Sequence, residues 1–180
     1  DLPSSHTAHQ PTVSGDEYMI GVLLREDRPS ARAAVARMGW QLVSDPFECK
    51  HVLLWTPSAP INLQAFLPVI AWLDHWEVAA PLRSYTTLAQ HIGSEEERVT
   101  TAQLLLDLRQ PVYDSRVVFV RDCKRSRRLL QIWLQEESAI AGDADLAFLR
   151  AIWRVKPLLL ALPKTWAEKD GPQPQPKVKL

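Results

Sequence analysis

The 180 residues carry 21 basic and 21 acidic side chains, so no net charge draws the chain toward nucleic acid or a membrane. A 46% hydrophobic share with seven Trp suffices for one or two real cores. No apolar run reaches the roughly 18 residues that a membrane span needs, and no signal-peptide pattern opens the chain. The first residue is Asp1, and a segment of a longer protein is expected. Cys49 and Cys123 form neither a metal-type spacing nor a disulfide framework, which makes a reducing compartment the default.

Polar, Pro-containing stretches at 1–15 and 170–180 read as flexible tails. Between them, Tyr18 to Leu24 is an apolar run with Ile and Val that predicts a buried strand. Ser30 is the expected N-cap of a helix that runs to Met38 and ends at Gly39. Trp40 to Val43 and His51 to Trp55 follow as strands, separated by a turn containing Asp45 and Pro46. Leu63, Phe66, Leu67, Ile70 and Leu73 recur at helical spacing within Asn62 to Trp76, with Pro68 as a kink or late start. A short strand at Glu77 to Ala80 and a short helix at Ser84 to His91 complete a βαββαβα order, which predicts a parallel sheet with flanking helices.

Ser94, Glu96 and Glu97 open a helix that Pro111 stops. Beyond it, Val112 to Val120 reads as a strand, Ser126 to Gln135 and Asp145 to Arg154 as helices, and Leu158 to Leu162 as a strand. Pro163 and Trp166 open a last short helix.

The chain also echoes itself. Val22 to Glu26 with Arg28, Ser30 and Arg32 returns, 96 positions on, as Val118 to Asp122 with Lys124, Ser126 and Arg128. Ala65, Phe66, Leu67, Ile70 and Pro81 return 82 positions on as Ala147, Phe148, Leu149, Ile152 and Pro163. The difference in offset predicts a second copy that lacks most of its middle, in particular the second and third strands. The expected organisation is repeat 1 at 16–93, a helical linker at 94–110 and a degenerate repeat 2 at 111–169. The second repeat is expected to dock on the first through Leu63, Phe66, Ile70 and Trp72 against Leu130, Trp133 and Trp153.

At this point the residues resemble a family. Met38 to Ser44 (MGWQLVS) followed by Glu48 to Leu53 (ECKHVL) is similar to the stretch of a BRCT domain in which a Gly-containing turn ends the first helix. In that family a Glu-x-Thr/Ser-His-Leu-Val type strand comes next. Pro157, Leu158 and Leu159 with Pro163 to Trp166 resemble the family's Pro-containing fourth strand and the Trp of its last helix. The resemblance implies an α/β tandem BRCT-like repeat, each repeat a small parallel sheet flanked by helices, joined by a helical linker. The chain departs from the pattern where Trp40 replaces the turn's second Gly, and Tyr85 lies one residue off the position matching Trp166.

BRCT pairs commonly bind phosphorylated peptides. A phosphoserine brings nearly two negative charges, so its pocket needs a hydroxyl, a backbone N–H and a cation near a helix start. The family's Ser/Thr-Gly and Lys positions fall here on Leu24, Arg25 and Asn62, none of which carries the family residue. Arg25, Arg28 and Ser30 at the strand-to-helix turn, with Asn62 or Gln64, are the candidate anion-binding residues. The competing reading pairs Arg25 and Arg28 with Glu26, Asp27 or solvent.

A second candidate is the basic cluster Arg121, Lys124, Arg125, Arg127 and Arg128, which suits nucleic acid or another polyanion. The scattered histidines, the isolated Cys49 and the lack of a Gly-rich phosphate loop argue against an enzyme, and no cofactor or metal is expected. The expected function is a non-enzymatic module for a protein partner, phosphorylated in the sharper version. The style of the motifs is similar to the C-terminal BRCT regions of kinetoplastid microtubule-binding kinetochore proteins. That resemblance implies the nucleus and the chromosome or kinetochore, with microtubule contact through other parts of such a protein.

Overall fold

The computed structural model describes residues 20–58, 67–105, 107–140 and 142–167. The stretches expected as tails, and the candidate residues Asn62 and Gln64, lie outside the described residues.

The first four elements follow the local sequence closely. Strand β1, Ile20–Leu24, leads into helix α1, Pro29–Arg37. Arg28, not Ser30, is the N-cap, because Pro29 occupies the first helical position, where its fixed φ and missing N–H cost nothing. Ser30 sits exposed in the first turn. Gly39, with φ of 68°, turns the chain out of the helix, as its place in the sequence predicts. Strand β2, Gln41–Leu42, is short and lies at the edge, whereas strand β3, His51–Trp55, is buried along its whole length.

Helix α2, Leu67–Trp72, precedes the long strand β4, Val78–Thr87. The helix expected from Ser84 is therefore confined to α3, Leu88–His91, because the strand continues through Thr87 to pair with Pro111. Helix α4, Glu95–Leu105, has Ser94 at its start, whose Oγ accepts the Glu97 N–H at 3.2 Å.

The single strand expected over Val112 to Val120 is two, β5, Pro111–Tyr113, and β6, Val117–Arg121. Asp114 makes the break: its buried carboxylate takes the Arg116 backbone N–H at 3.0 Å and two guanidinium contacts at 2.8 and 2.6 Å. Helices α5, Lys124–Ala139, and α6, Ala144–Val155, come next, then strand β7, Leu159–Leu162, and a 3-10 turn, Lys164–Ala167. No strand lies among the described residues between α5 and α6.

The expectation of two small parallel sheets, one per repeat, is corrected. The seven strands among the described residues form one mixed sheet with the order β2-β1-β3-β6-β4-β5, and β7 also pairs with β4. Strand β6 enters between β3 and β4 and runs antiparallel to both, while β1-β2, β1-β3 and β4-β7 are parallel. The echo in sequence is not an echo in topology. The first and last strands of the first unit, β1 and β4, run the same way; those of the second, β6 and β7, run opposite ways.

Alternation along these strands fills two cores. Val22, Leu53, Trp55, Phe119, Ala79 and Leu162 face α1, α2 and the terminal turn. Val52, Leu54, Val118, Val120, Val78 and Ala80 face α5 and α6, where Trp133 and Phe148 pack with ring centres 4.6 Å apart. Of the expected docking residues, Leu63 and Phe66 lie outside the described residues, and the sheet stands between the described α2 and α5. Trp72 instead packs on Trp166 at 6.2 Å, and Leu130 and Trp133 pack on the sheet. A third cluster, Leu88, Ile92, Val112, Leu146 and Leu149, ties α3 and β5 to α6. Among the described residues no helix is long and apolar enough to cross a membrane.

Candidate functional site: a groove at the strand ends

β1 and β3 are parallel neighbours, but the chain leaves β1 toward β2 and leaves β3 toward β4. Such divergence opens a crevice beyond the carboxyl ends of the strands. Arg25, the residue after β1, stands there with its backbone N–H donating to the Trp55 carbonyl at 2.9 Å. Leu23, Leu54, Pro46, Leu130, Trp133 and Leu134 line an apolar cleft of about 170 Å3 beside it.

Arg25 does not present a vacant cation. One terminal nitrogen donates to both oxygens of Glu137 in α5, at 2.6 and 2.7 Å, and the guanidinium lies 4.7 Å from the centre of the Trp133 ring. Arg25 and Glu137 also border a second depression, of about 310 Å3, shared with Ile140, Gly142, Asp143 and Ala144. Gly142 to Ala144 border a third, of about 360 Å3, with Arg83, His91, Ser115, Arg116 and Asp145. Shared walls make these a groove from the apolar cleft, past the ion pair, to the start of α6.

The third depression is polar. Asp143 caps α6 by accepting the Leu146 N–H at 3.0 Å, and its other oxygen lies 3.0 Å from His91 Nε2. Buried Asp145 accepts the Ser115 N–H at 2.8 Å and hydroxyl at 2.6 Å on one oxygen; Arg83 approaches the other at 2.7 Å.

Of the remaining anion-site candidates, Asn62 and Gln64 lie outside the described residues and Ser30 is exposed in the first turn of α1. Arg28 pairs with Glu26 at 2.8 Å, and Arg32 holds Asp27, whose carboxyl it pushes below the ordinary carboxylate value. The local-pairing reading describes Arg28; Arg25 reaches a partner that no local reading supplies. The basic cluster is partly engaged by neighbouring acceptors. Arg121 donates to the Asp74 carbonyl at 2.6 Å, Arg125 lies 3.4 Å from Glu77, and Arg127 binds both oxygens of Asp122 while lying over Phe47. Lys124 and Arg128 are exposed and have no ion pair among the described residues.

No protein-family model, curated protein or solved structure matches this chain.

The groove therefore stands on its own chemistry. Sequence reasoning named Arg25 as an anion-binding candidate at the strand-to-helix turn and Trp133 only as a docking residue. It missed Glu137, Arg83, His91, Ser115, Asp143 and Asp145. The short Asp-x-Asp pair at the expected start of α6 was the one available signal, and by itself it reads as a helix cap. Cys49 is buried, and burial with the neighbouring Glu48 pushes its thiol pKa up, away from nucleophilic use.

Proposed function

We propose that this chain is a non-enzymatic protein-interaction module, BRCT-like in its β1-α1-β2-β3 portion, that takes an anionic, phosphorylated segment of a protein partner in the groove at Arg25. The observation that carries the proposal is Arg25 gripping the Glu137 carboxylate with one nitrogen on both oxygens, beside an apolar cleft. A guanidinium positioned to hold one anion at a strand end is positioned to exchange it for a better one, and a phosphate dianion is a stronger acceptor than a carboxylate. The apolar cleft supplies a seat for a neighbouring side chain of the same segment. The parallel order β2-β1-β3 supports the family reading for this portion. Tandem BRCT character over the whole chain, a nuclear partner at chromatin or the kinetochore, and a role in chromosome segregation rest on the sequence resemblance. Nucleic-acid contact through the basic cluster is the rival reading, weakened by the ion pairs that engage Arg125 and Arg127.

The test is binding of the full chain to a library of matched phosphorylated and unphosphorylated peptides at two salt concentrations. Phosphate-selective binding that Arg25→Ala abolishes and Glu137→Gln strengthens supports the proposal. Absence of selectivity overturns it, and steep salt dependence without peptide preference favours the rival reading.

A further inference from the structure

We propose that His91, Asp143 and Asp145 form a site for one divalent transition-metal ion, zinc by preference, that ties the end of α3 to the start of α6. One imidazole nitrogen and two carboxylate oxygens lie within 4.8 Å of one another. His91 Nε2 stands 3.0 Å from Asp143 Oδ2. Two ligands on a tetrahedral ion with bonds of about 2.0–2.1 Å stand roughly 3.3 Å apart, so His91 and Asp143 are already near ligand spacing, while Asp145, placed within 4.8 Å, must close in on the ion.

The way the carboxylates are held separates this arrangement from a chance gathering of acids. Each has one oxygen fixed to the protein frame and the other turned to the site. Asp143 Oδ1 accepts the Leu146 N–H and lies 3.2 Å from His91 Nε2, with Oδ2 nearer to that nitrogen at 3.0 Å. Asp145 Oδ1 accepts both the N–H and the hydroxyl of Ser115, leaving Oδ2 for Arg83. Hydrogen bonds of this kind are what orient metal-binding carboxylates from behind. An imidazole with two carboxylates suits zinc and its neighbours better than calcium, which takes oxygen ligands throughout.

Arg83 is the competitor. The Asp145 side chain is only 6% exposed and needs a counter-charge, which the guanidinium supplies at 2.7 Å. The Arg83 side chain is itself 42% exposed, so it is free to swing into water when an ion takes over that role. The depression of about 360 Å3 that these residues line leaves room for the ion and a bound water.

The test uses the full chain, stripped of metal, with His6 and His9 replaced by Ala so that the N-terminal imidazoles do not contribute. Cobalt titration followed by visible absorption, then displacement by zinc, is expected to give one ion per chain. His91→Ala and Asp143→Asn, the latter keeping a cap acceptor, are each expected to weaken binding at least about tenfold. Arg83→Ala, which removes the guanidinium competing for Asp145, is expected to tighten it several-fold. Stoichiometric binding that His91→Ala leaves unchanged, an Arg83→Ala variant that binds less tightly, or no binding at millimolar metal overturns the proposal.

Discussion

Arg25 and Glu137 stand 112 positions apart in the chain, yet the guanidinium of one meets the carboxylate of the other at 2.6 Å over the face of Trp133. Their side chains are about a quarter exposed, 27% and 21%, so the pair is neither a screened surface contact nor a dry interior one. A double-mutant cycle with Arg25→Ala and Glu137→Ala, followed by urea unfolding, is expected to return a coupling of about 1 kcal/mol. The coupling should shrink in high salt. A value indistinguishable from zero in low salt would remove the pair as a clamp on α5.

Gly21 has no room for a side chain. A Cβ there would stand 3.0 Å from Val43 Cγ1 and 3.1 Å from Cys49 Sγ, both in the segment that wraps β1. Gly21→Ala is expected to destabilise the protein by about 1–3 kcal/mol through overpacking. Adding Val43→Ala should recover part of that loss. Urea midpoints of the single and double variants check both statements, and an additive double variant contradicts the steric account.

His51 gives the stability a pH dependence of definite sign. It is buried at the start of β3, and desolvation, aided by Lys50 and Arg121 and opposed by Asp74, lowers its pKa from the ordinary 6.5. The unfolded chain therefore binds the proton more readily than the folded one. The contribution is intact above about pH 6.5 and is lost as the pH falls from there toward the lowered folded value. A His51→Asn variant, which cannot charge, should show a flatter decline in urea midpoint between pH 7.5 and 5.5 than the parent chain. Equal slopes would assign the decline to other groups.

Strand β6 is flanked by β3 on one side and β4 on the other, and Val117 to Val120 are buried. Residues 110–180 alone lose both neighbours of that strand. Such a fragment is expected to lack a cooperative urea transition by circular dichroism, while the full chain unfolds in one step because one sheet runs through it. An independent cooperative transition in the fragment would falsify this account.

Much of the local structure was legible in the residues. The apolar run His51 to Trp55, the Gly39 exit from α1 and the spacing of α5 and α6 state their own conformations, because periodicity and turn chemistry act within a few residues. The element types were largely readable. Pairing was not. Strands β3 and β6 bury both faces, so their side chains carry no label for direction or neighbour, and two similar strand-and-helix units led to an expectation of two sheets. Only the tertiary fold set β6 antiparallel between β3 and β4. The same step brought Glu137 to Arg25 and Asp143 to His91 across separations of 112 and 52 positions. The sequence by itself determined most of the strand and helix segments and their apolar faces, though not the break between β5 and β6 or the reach of β4 through Thr87. The tertiary structure decided which charges meet, because the Arg25–Glu137 pair and the gathering of His91, Asp143 and Asp145 depend on long-range packing that no local period encodes.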